Sequence, residues 1–423
     1  MIEIPLWLFA LLVLAIGALG LMLYNNLREV RFRVRIPKEL TRLEEGLCSL
    51  AGLTGAVIST GNTAELLQNG DGFFPPLLAD IAAAEKSIHL ETYVWWRGAI
   101  CHEVAAALAA RARQGVEVRV MLDALGAFTM ERRLRRQMRR AGCRVEVYNR
   151  LRLSHLGVLN KRTHRKLAVF DGRIGYVFGH GIARQWTGNG QDKDHWRDTG
   201  VRLRGPVVHM VQSVFCEHWV EETGEVLIGP KYFPILEPAG ELEVQVFTGS
   251  PKGGISDFEL MFQVAIATAQ RELIISNPYF IPNRAACDLL IKVVRRGVEV
   301  KVMVPGPYND SRLVRHAGHF RYAELLRDGV KMWEHQETLT HQKVMIIDGL
   351  WSHVGSTNLD DRSFDINEEA GVGIIDEGIA GELKAAFEAD LLKCKPLRAA
   401  DFARRSVWHR AADALCYQFN EQL

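Results

Sequence analysis

Apolar positions along this chain follow three successive rhythms. From Pro5 to Tyr24 (PLWLFALLVLAIGALGLMLY) twenty residues pass without a charge, the length a helix needs to cross the hydrocarbon core of a bilayer. The run predicts one N-terminal transmembrane helix. A cleavable leader would begin with positive charge and carry a shorter apolar core, but only Glu3 precedes this run. The basic residues follow it, at Arg28, Arg31, Arg33 and Arg35, and the positive-inside rule then places the rest of the chain in the cytoplasm. Residues 28–60 read as a juxtamembrane connector with Pro37 and an amphipathic stretch over 40–53.

From Asn62 onward helix-period and strand-period segments alternate. The pattern predicts a helix over 74–86, a strand over 87–95, an alanine-rich helix over 103–114 stopped by Gly115, and a strand over 116–122. Strand, helix, strand in that order argues for a parallel sheet in an α/β domain. The order then recurs: a strand over 272–277, a helix over 285–296, and RRGVEVKVMV answering the earlier RQGVEVRVML. Gly115 to Val118 and Gly297 to Val300 are identical at an offset of 182 residues. The halves are therefore duplicated with small insertions. A last strand is expected over 364–376 and a helix over 378–393, followed by an amphipathic, aromatic tail from Pro396. The chain divides accordingly into an anchor (1–27), the connector (28–60), a first half (61–240) and a second half with its tail (241–423).

Composition narrows the class. With 423 residues, 48% hydrophobic and 24% charged, the chain is a folded protein large enough for two cores. A net charge of +2 is too small to demand nucleic acid. The six arginines between Arg132 and Arg140 form a basic patch that, with a membrane span upstream, most simply faces anionic lipid. Seven cysteines without a CxxC spacing imply reduced thiols, not a disulfide or zinc framework.

The candidate chemistry lies in a repeated pattern. THRKLAVFDG carries His164, Lys166 and Asp171, and THQKVMIIDG carries His341, Lys343 and Asp348, both as HxKxxxxD and 177 residues apart at the histidines. LAVF and VMII read as short buried strands, and period-2 alternation aims each His and Lys to one side. Two imidazoles and two ammonium groups then face one pocket. Neutral imidazole is a nucleophile or base near pH 7, imidazolium is an acid, and lysine supplies fixed positive charge for a phosphoryl oxyanion. The set suits attack at phosphorus. The aspartates further along, Asp171 and Asp348, are expected to hold and orient an imidazole as the third group of a triad does. A divalent metal fits less well, because each histidine sits two residues from a cation. Glu91 and Asp123 fall at strand ends, where groups either face ligand or support the fold.

These motifs, together with SNPYFIP and GSTNLDDRSFDINEE, resemble the phospholipase D superfamily with paired HKD motifs, and within it the bacterial cardiolipin synthases; the resemblance runs from about Gly61 to the C-terminus. It implies an α/β fold of two duplicated phospholipase D-like halves, each a mixed sheet flanked by helices, and a phosphohistidine mechanism that needs no metal or cofactor. It makes His164 the nucleophile and His341 the acid and base, with exchange of the two roles left open, and Lys166 and Lys343 phosphate-binding. It makes Ser356, Asn358, Arg362 and Glu369 substrate-binding, and Glu91 joins them as a candidate. Where the family shows GGxN the first copy has Phe178, Gly179, His180 and Gly181, so the amide matching Asn358 is absent; His180 or Gln185 are the possible substitutes. Trp196, Arg197 and Asp198 are expected to pack and support a strand. The implied partners are the membrane and phospholipids, phosphatidylglycerol as acceptor and phosphatidylethanolamine as a possible donor, at a bacterial inner membrane. The alternatives are a hydrolytic phospholipase D or HKD nuclease, and a weakly active membrane-binding protein.

Overall fold

In the computed structural model of the chain, residues 42–149, 160–250 and 256–422 are described, with positions 14, 17, 36, 37 and 40 before them. The expected membrane span lies outside these residues except for Leu14 and Gly17, as do Arg28, Arg31, Arg33 and Arg35. Among the described residues no helix is long and apolar enough to cross a membrane.

The first half runs α1 (Leu43–Thr54), β1 (Ser59–Gln68), α2 (Asn69–Ala83), β2 (Ser87–Thr92), α3 (Ala99–Arg113), β3 (Glu117–Asp123), α4 (Arg132–Arg140), β4 (Arg144–Tyr148), β5 (Leu167–Phe170), β6 (Ile174–Phe178), β7 (Thr199–Arg204) and α5 (Val208–Thr223). The second runs β8 (Leu242–Gly249), α6 (Asp257–Thr268), β9 (Glu272–Ser276), α7 (Arg284–Arg295), β10 (Glu299–Pro305), α8 (Arg312–Arg327), β11 (Lys331–His335), β12 (Val344–Ile347), β13 (Trp351–Gly355), α9 (Asp361–Asp365), β14 (Glu369–Ile375) and α10 (Glu377–Leu391). A tail of β15 (Cys394–Pro396), α11 (Ala399–Ala403) and α12 (Val407–Tyr417) follows. Second-half helices start on side-chain caps: Ser256, Asn283, Ser311 and Asp376 each accept from the backbone N–H three residues on. The repeated Gly115 and Gly297 take φ of +91° and +98°, and so turn the chain from helix into strand where a β-carbon would be strained.

Among the described residues fifteen strands join one sheet. Its first-half order is β1-β7-β6-β5-β2-β3-β4 and its second-half order β8-β14-β13-β12-β9-β10-β11, the same path walked twice. The antiparallel pair β1 and β8 joins the halves, with Asn62 opposite Leu242, and β15 extends the far edge beside β11. Strands β2, β3 and β4 are mutually parallel, as are β9, β10 and β11. Most of these strands alternate apolar and polar positions, as in EVRVMLD and EVKVMVP, and put Val118, Val120, Val300 and Val302 into the cores under the helices.

Three cores result. One packs α2, α3 and α4 on the first half-sheet, and one packs α1, α6, α7 and α8 on the second. The third is shared: Val177, Val201 and Leu203 meet Val344, Val354 and Val372, with α5 and α10 joining them, as β13 and β14 lie against β6 and β7. The two half-sheets thus pack face to face, and the loops at their ends converge.

Predicted and observed elements agree to a few residues for most helices and strands. The strand expected over 364–376 begins only at Glu369, because Asp360 accepts from the Ser363 N–H and starts the short helix α9. The amphipathic stretch before residue 54 is α1, whose Leu43, Leu47 and Leu50 are buried in the core of the second half. Gly46 lies so close to α6 that a β-carbon there would stand 2.8 Å from Thr268 Cγ2. All seven cysteines are free thiols.

Candidate active site

Each motif histidine precedes its strand, in a segment that pairs with the other half. His164 N–H donates to Glu368 O at 2.8 Å and Glu368 N–H to Arg162 O at 2.8 Å. Likewise His341 N–H donates to Arg197 O at 2.7 Å and Arg197 N–H to Leu339 O at 3.0 Å. Buried ion pairs lock the same junction, Arg165 to Glu368 at 3.0 Å and Arg197 to Asp390 at 2.9 Å. The next residue in each paired segment is a carboxylate, so the carboxylates are exchanged between halves. His164 Nδ1 lies 2.9 Å from Glu369 of the second half, and His341 Nδ1 lies 2.7 Å from Asp198 of the first. With Nδ1–H donated to a carboxylate, each ring turns Nε2 and its lone pair away from that partner.

Glycine makes room for one of these contacts. A β-carbon on Gly179 would stand 2.2 Å from Asp198 Oδ1. In the second half Ser356 occupies the matching place after β13 and donates its hydroxyl to Glu369. Asp198 also accepts from Trp186 Nε1–H at 2.8 Å and from the Thr199 N–H at 2.9 Å.

Both histidines and Lys166 line a cavity of about 160 Å³, enough for a phosphodiester head but not for acyl chains. Its wall is polar on one side, with Asn358, Asp360, Arg362, Ser363 and Asn367, and aromatic on the other, with Trp96, Trp186 and Trp196. His341 lies against Trp186 and Trp196, with ring centroids 5.2 and 5.8 Å away, and His164 against Tyr93 at 5.1 Å.

Burial lowers both imidazoles to a pKa of about 4; Glu369 works against this at His164, whereas Lys343 adds to it at His341. Both rings are neutral at pH 7 in the empty site. Burial, helped by Lys343, lowers Lys166 to about 7, and burial lowers Lys343 to about 8. Lys343 Nζ lies 2.9 and 3.0 Å from the two ring nitrogens of His341, and Lys166 Nζ donates to the His164 carbonyl at 2.9 Å. For Asp198 burial acts upward, but His341 and Lys343 hold the carboxyl below its ordinary range, as His164 and Lys166 do for Glu369. Burial disfavours both ammonium groups although the Asp198 and Glu369 carboxylates act the other way, and an anion beside them offsets that cost. Burial raises Asp360, on the same wall, to about 7.

Of the residues singled out from sequence, His164, Lys166, His341, Asn358 and Arg362 line the cavity. Lys343 stands behind His341, while Ser356 and Glu369 lie beneath His164. Three expectations are corrected. Asp171 and Asp348 do not orient an imidazole: each sits beyond the far end of a four-residue strand, roughly 13 Å along from the histidine end. Asp171 accepts from the N–H groups of Glu85, Lys86 and Ser87 at 2.6–2.8 Å, and Asp348 from Gln270, Arg271 and Glu272 at 2.7–2.9 Å. They are turn anchors, at φ of +52° and +54°. Glu91 does not line the cavity, being fully buried and accepting from Thr163 Oγ1–H with His218 Nδ1 beside it, both at 2.5 Å.

Sequence reasoning missed the role of Asp198, which was assigned to packing. A signal was present: Asp198-Thr-Gly-Val leads into β7 and Glu369-Ala-Gly-Val opens β14, an acid, a small residue, glycine and valine in both copies. The altered GGxN position has a steric cause. A β-carbon on Gly181 would lie 2.8 Å from Trp186 Cζ3 and from Val94 Cγ1, so the tryptophan wall occupies the place of an amide. Neither proposed substitute reaches the cavity wall: His180 is buried, stacked on Phe73 at 4.2 Å, and Gln185 lies outside the lining. Tyr93 and Asp310 are wall residues that were not singled out from sequence, and Tyr279 and Asp360 fall within SNPYFIP and GSTNLDDRSFDINEE without having been given a role.

Comparison with known proteins agrees with this geometry. The family described as cardiolipin synthase, PLD-like domain, matches residues 77–195 and 263–391, one match in each half. The chain is 33% identical over 367 residues to the probable cardiolipin synthase YwiE of Bacillus subtilis, covering 86% of this chain and 73% of the relative. It is 31% identical over 363 residues to the major cardiolipin synthase ClsA of the same organism, covering 85% and 75%. Among solved structures, the phosphatidylserine synthase of Haemophilus influenzae superposes with a TM-score of 0.66 over 89% of this chain and 100% of its own, at 14% identity, a likeness of fold.

Proposed function

The chain belongs to the family of phospholipase D-like cardiolipin synthases, and from that premise we propose that it is a phosphatidyltransferase which makes cardiolipin through a phosphohistidine intermediate on His164. The observation that carries this reading is the convergence of two imidazoles on one small cavity, each held by a carboxylate of the opposite half, with Lys166 on its wall and Lys343 behind His341.

A phospholipid phosphodiester entering this cavity adds negative charge beside the buried lysines and imidazoles, and that charge draws their pKa values upward. His164 Nε2 attacks phosphorus, the bond from phosphorus to the head-group oxygen breaks, and His341 gives its proton to the departing alcohol. A hydroxyl of phosphatidylglycerol then takes the vacated place. His341 accepts the hydroxyl proton as its oxygen attacks phosphorus, and the P–N bond breaks to restore His164. The polar wall with Asn358 and Arg362 suits the phosphate. The tryptophans around His341 suit the glycerol carbons of the incoming alcohol, and this asymmetry favours His164 as the nucleophile.

We assign residues 1–27 as a membrane anchor, 28–60 as connector, and 61–240 and 241–423 as the two halves, with the catalytic part facing the cytoplasm of a bacterial cell. We infer that an anionic bilayer is met by the exposed Leu125 and Phe128, which precede the arginine-rich α4 and flank Gly126, whose carbonyl accepts from the cavity residue Trp96. The test is mass spectrometry of lipids after incubating the purified protein with phosphatidylglycerol liposomes, with and without phosphatidylethanolamine, beside the His341→Ala protein. Cardiolipin formed only by the intact protein is the expected result, and dependence on phosphatidylethanolamine identifies the donor. Phosphatidic acid alone would assign a hydrolase, and lipid binding without product a membrane-binding protein.

A further inference from the structure

The second half has what the first lacks, a tail of β15, α11 and α12 that closes over α8. Tyr417 stacks on Phe320 at 4.7 Å and lies under the Arg321 guanidinium at 4.8 Å. Between this tail, α8 and β11 is a cavity of about 580 Å³, more than three times the volume of the active-site cavity.

Its wall is cationic in excess. Arg312, Arg315, Lys395 and Arg405 line it with three histidines, against the carboxylates of Glu334 and Asp401. Glu334 is committed to Arg315 at 2.9 Å and to His319 Nε2 at 3.2 Å, and Asp413 behind the wall is committed to Arg405 and His316 at 2.6 and 2.7 Å. Arg312 and Lys395 have no ion-pair partner among the described residues. The His319 side chain is only 9% exposed and its Nδ1 has no hydrogen-bond partner, nor has Arg315 Nε. Arg315 Nε–H is a donor, and leaving it unsatisfied costs free energy that an anion accepting from it recovers, whereas Nδ1 of the neutral His319 ring is an acceptor. The floor is apolar, formed by Pro307, Leu397 and Phe402. Beside the opening, Val407 and Trp408 stand 76% and 85% exposed.

We propose that this cavity is a second, non-catalytic site for a phosphate-bearing anion. On a bilayer that anion is the head group of an anionic phospholipid, with its chains left beside Val407 and Trp408. The lipid source rests on the reading of a membrane phosphatidyltransferase; the anion chemistry does not. The site is also joined to the active centre. Asn309 and Arg312 line the second cavity while Asp310, between them in sequence, lines the first and accepts from the Tyr279 hydroxyl at 2.6 Å. An anion drawing in Arg312 therefore acts on one wall of the catalytic cavity.

The experiment compares the full-length protein with the Arg312→Glu/Lys395→Glu variant, both exposed positions outside the catalytic cavity. One arm titrates inorganic phosphate calorimetrically. The other measures sedimentation with phosphatidylcholine vesicles with and without phosphatidylglycerol, and whether those vesicles displace bound phosphate. The wild type is expected to bind one more equivalent of phosphate than the variant, whose affinity at this site falls by roughly tenfold or more for each charge-assisted bond lost. Displacement by phosphatidylglycerol vesicles identifies the lipid head group, and no displacement identifies soluble phosphate; both support the site. Equal phosphate stoichiometry and equal vesicle binding in the two proteins would overturn it. A protein that makes no cardiolipin yet shows the extra equivalent would sink the proposed activity and leave this site standing.

Discussion

Replacing Glu369 by glutamine removes the charge beneath His164 while conserving volume. Both carboxylate oxygens lie 2.9 and 3.0 Å from His164 Nδ1, and the carboxylate also accepts from the Ser356 hydroxyl and from the Asn367 amide at 3.5 Å. A glutamine offers one oxygen, so its NH2 group must face one of these partners. When His164 bonds to phosphorus its ring becomes cationic. A full charge about 4 Å away is worth about 4 kcal/mol at an effective dielectric constant near 20, which corresponds to about 10³ in rate. We therefore expect kcat/KM for cardiolipin formation in liposomes to fall by about 10³. Thermal unfolding should register only the misplaced hydrogen bond, about 1–3 kcal/mol. If Glu369 acts through His164 alone, adding Glu369→Gln to His164→Ala leaves the residual rate unchanged. A loss below tenfold in a folded protein, or an undiminished loss in the His164→Ala background, would refute the reasoning.

Two other outcomes follow from the same geometry. Asp171→Asn should lower the unfolding free energy by at least ~1.5 kcal/mol, since charge-assisted bonds to three N–H groups are weakened, while kcat per folded molecule stays unchanged; a slow but fully stable variant would return Asp171 to the chemistry. In pH profiles, Lys166 and Lys343 bind phosphate only when protonated, and burial lowers them to about 7 and 8, so kcat/KM should be sustained at lower pH and fall as pH rises through that interval. Lys343→Arg should move this alkaline limb upward, because guanidinium keeps its proton, and a profile flat in both proteins would contradict the assignment.

Much of this was legible in the chain. The duplicated HxKxxxxD pattern and the repeated RxGVEV segment foretold two α/β halves and one shared site, because His, Lys and the glycine turn act through their immediate neighbours. What escaped depends on pairing between segments distant in sequence. Strand β1 (STGNTAELLQ) has no continuous apolar run, since its place is set by β7 and β8 on either side. Asp198 reads as a strand-end residue until Arg197 pairs with Leu339 of the other half and brings it under His341. Asp171 looked catalytic because it lies in the motif, yet a four-residue strand separates it from the histidine end. The aromatic tail is split by its packing: Tyr417 docks against Phe320 of α8, whereas Trp408 stays in solvent.

The exchange of carboxylates also bears on the order in which the protein is made. When the first half leaves the ribosome it carries His164 without Glu369 and Asp198 without His341, and domains generally fold N-terminal first. No reactive centre exists until the chain has been synthesised past residue 369 and the second half has docked against the first. A chain truncated before residue 341 is thus a blank cartridge: it holds one histidine and the wrong acid. Lipid-cleaving chemistry is withheld from every unfinished copy, and completion of the fold is itself the safety catch.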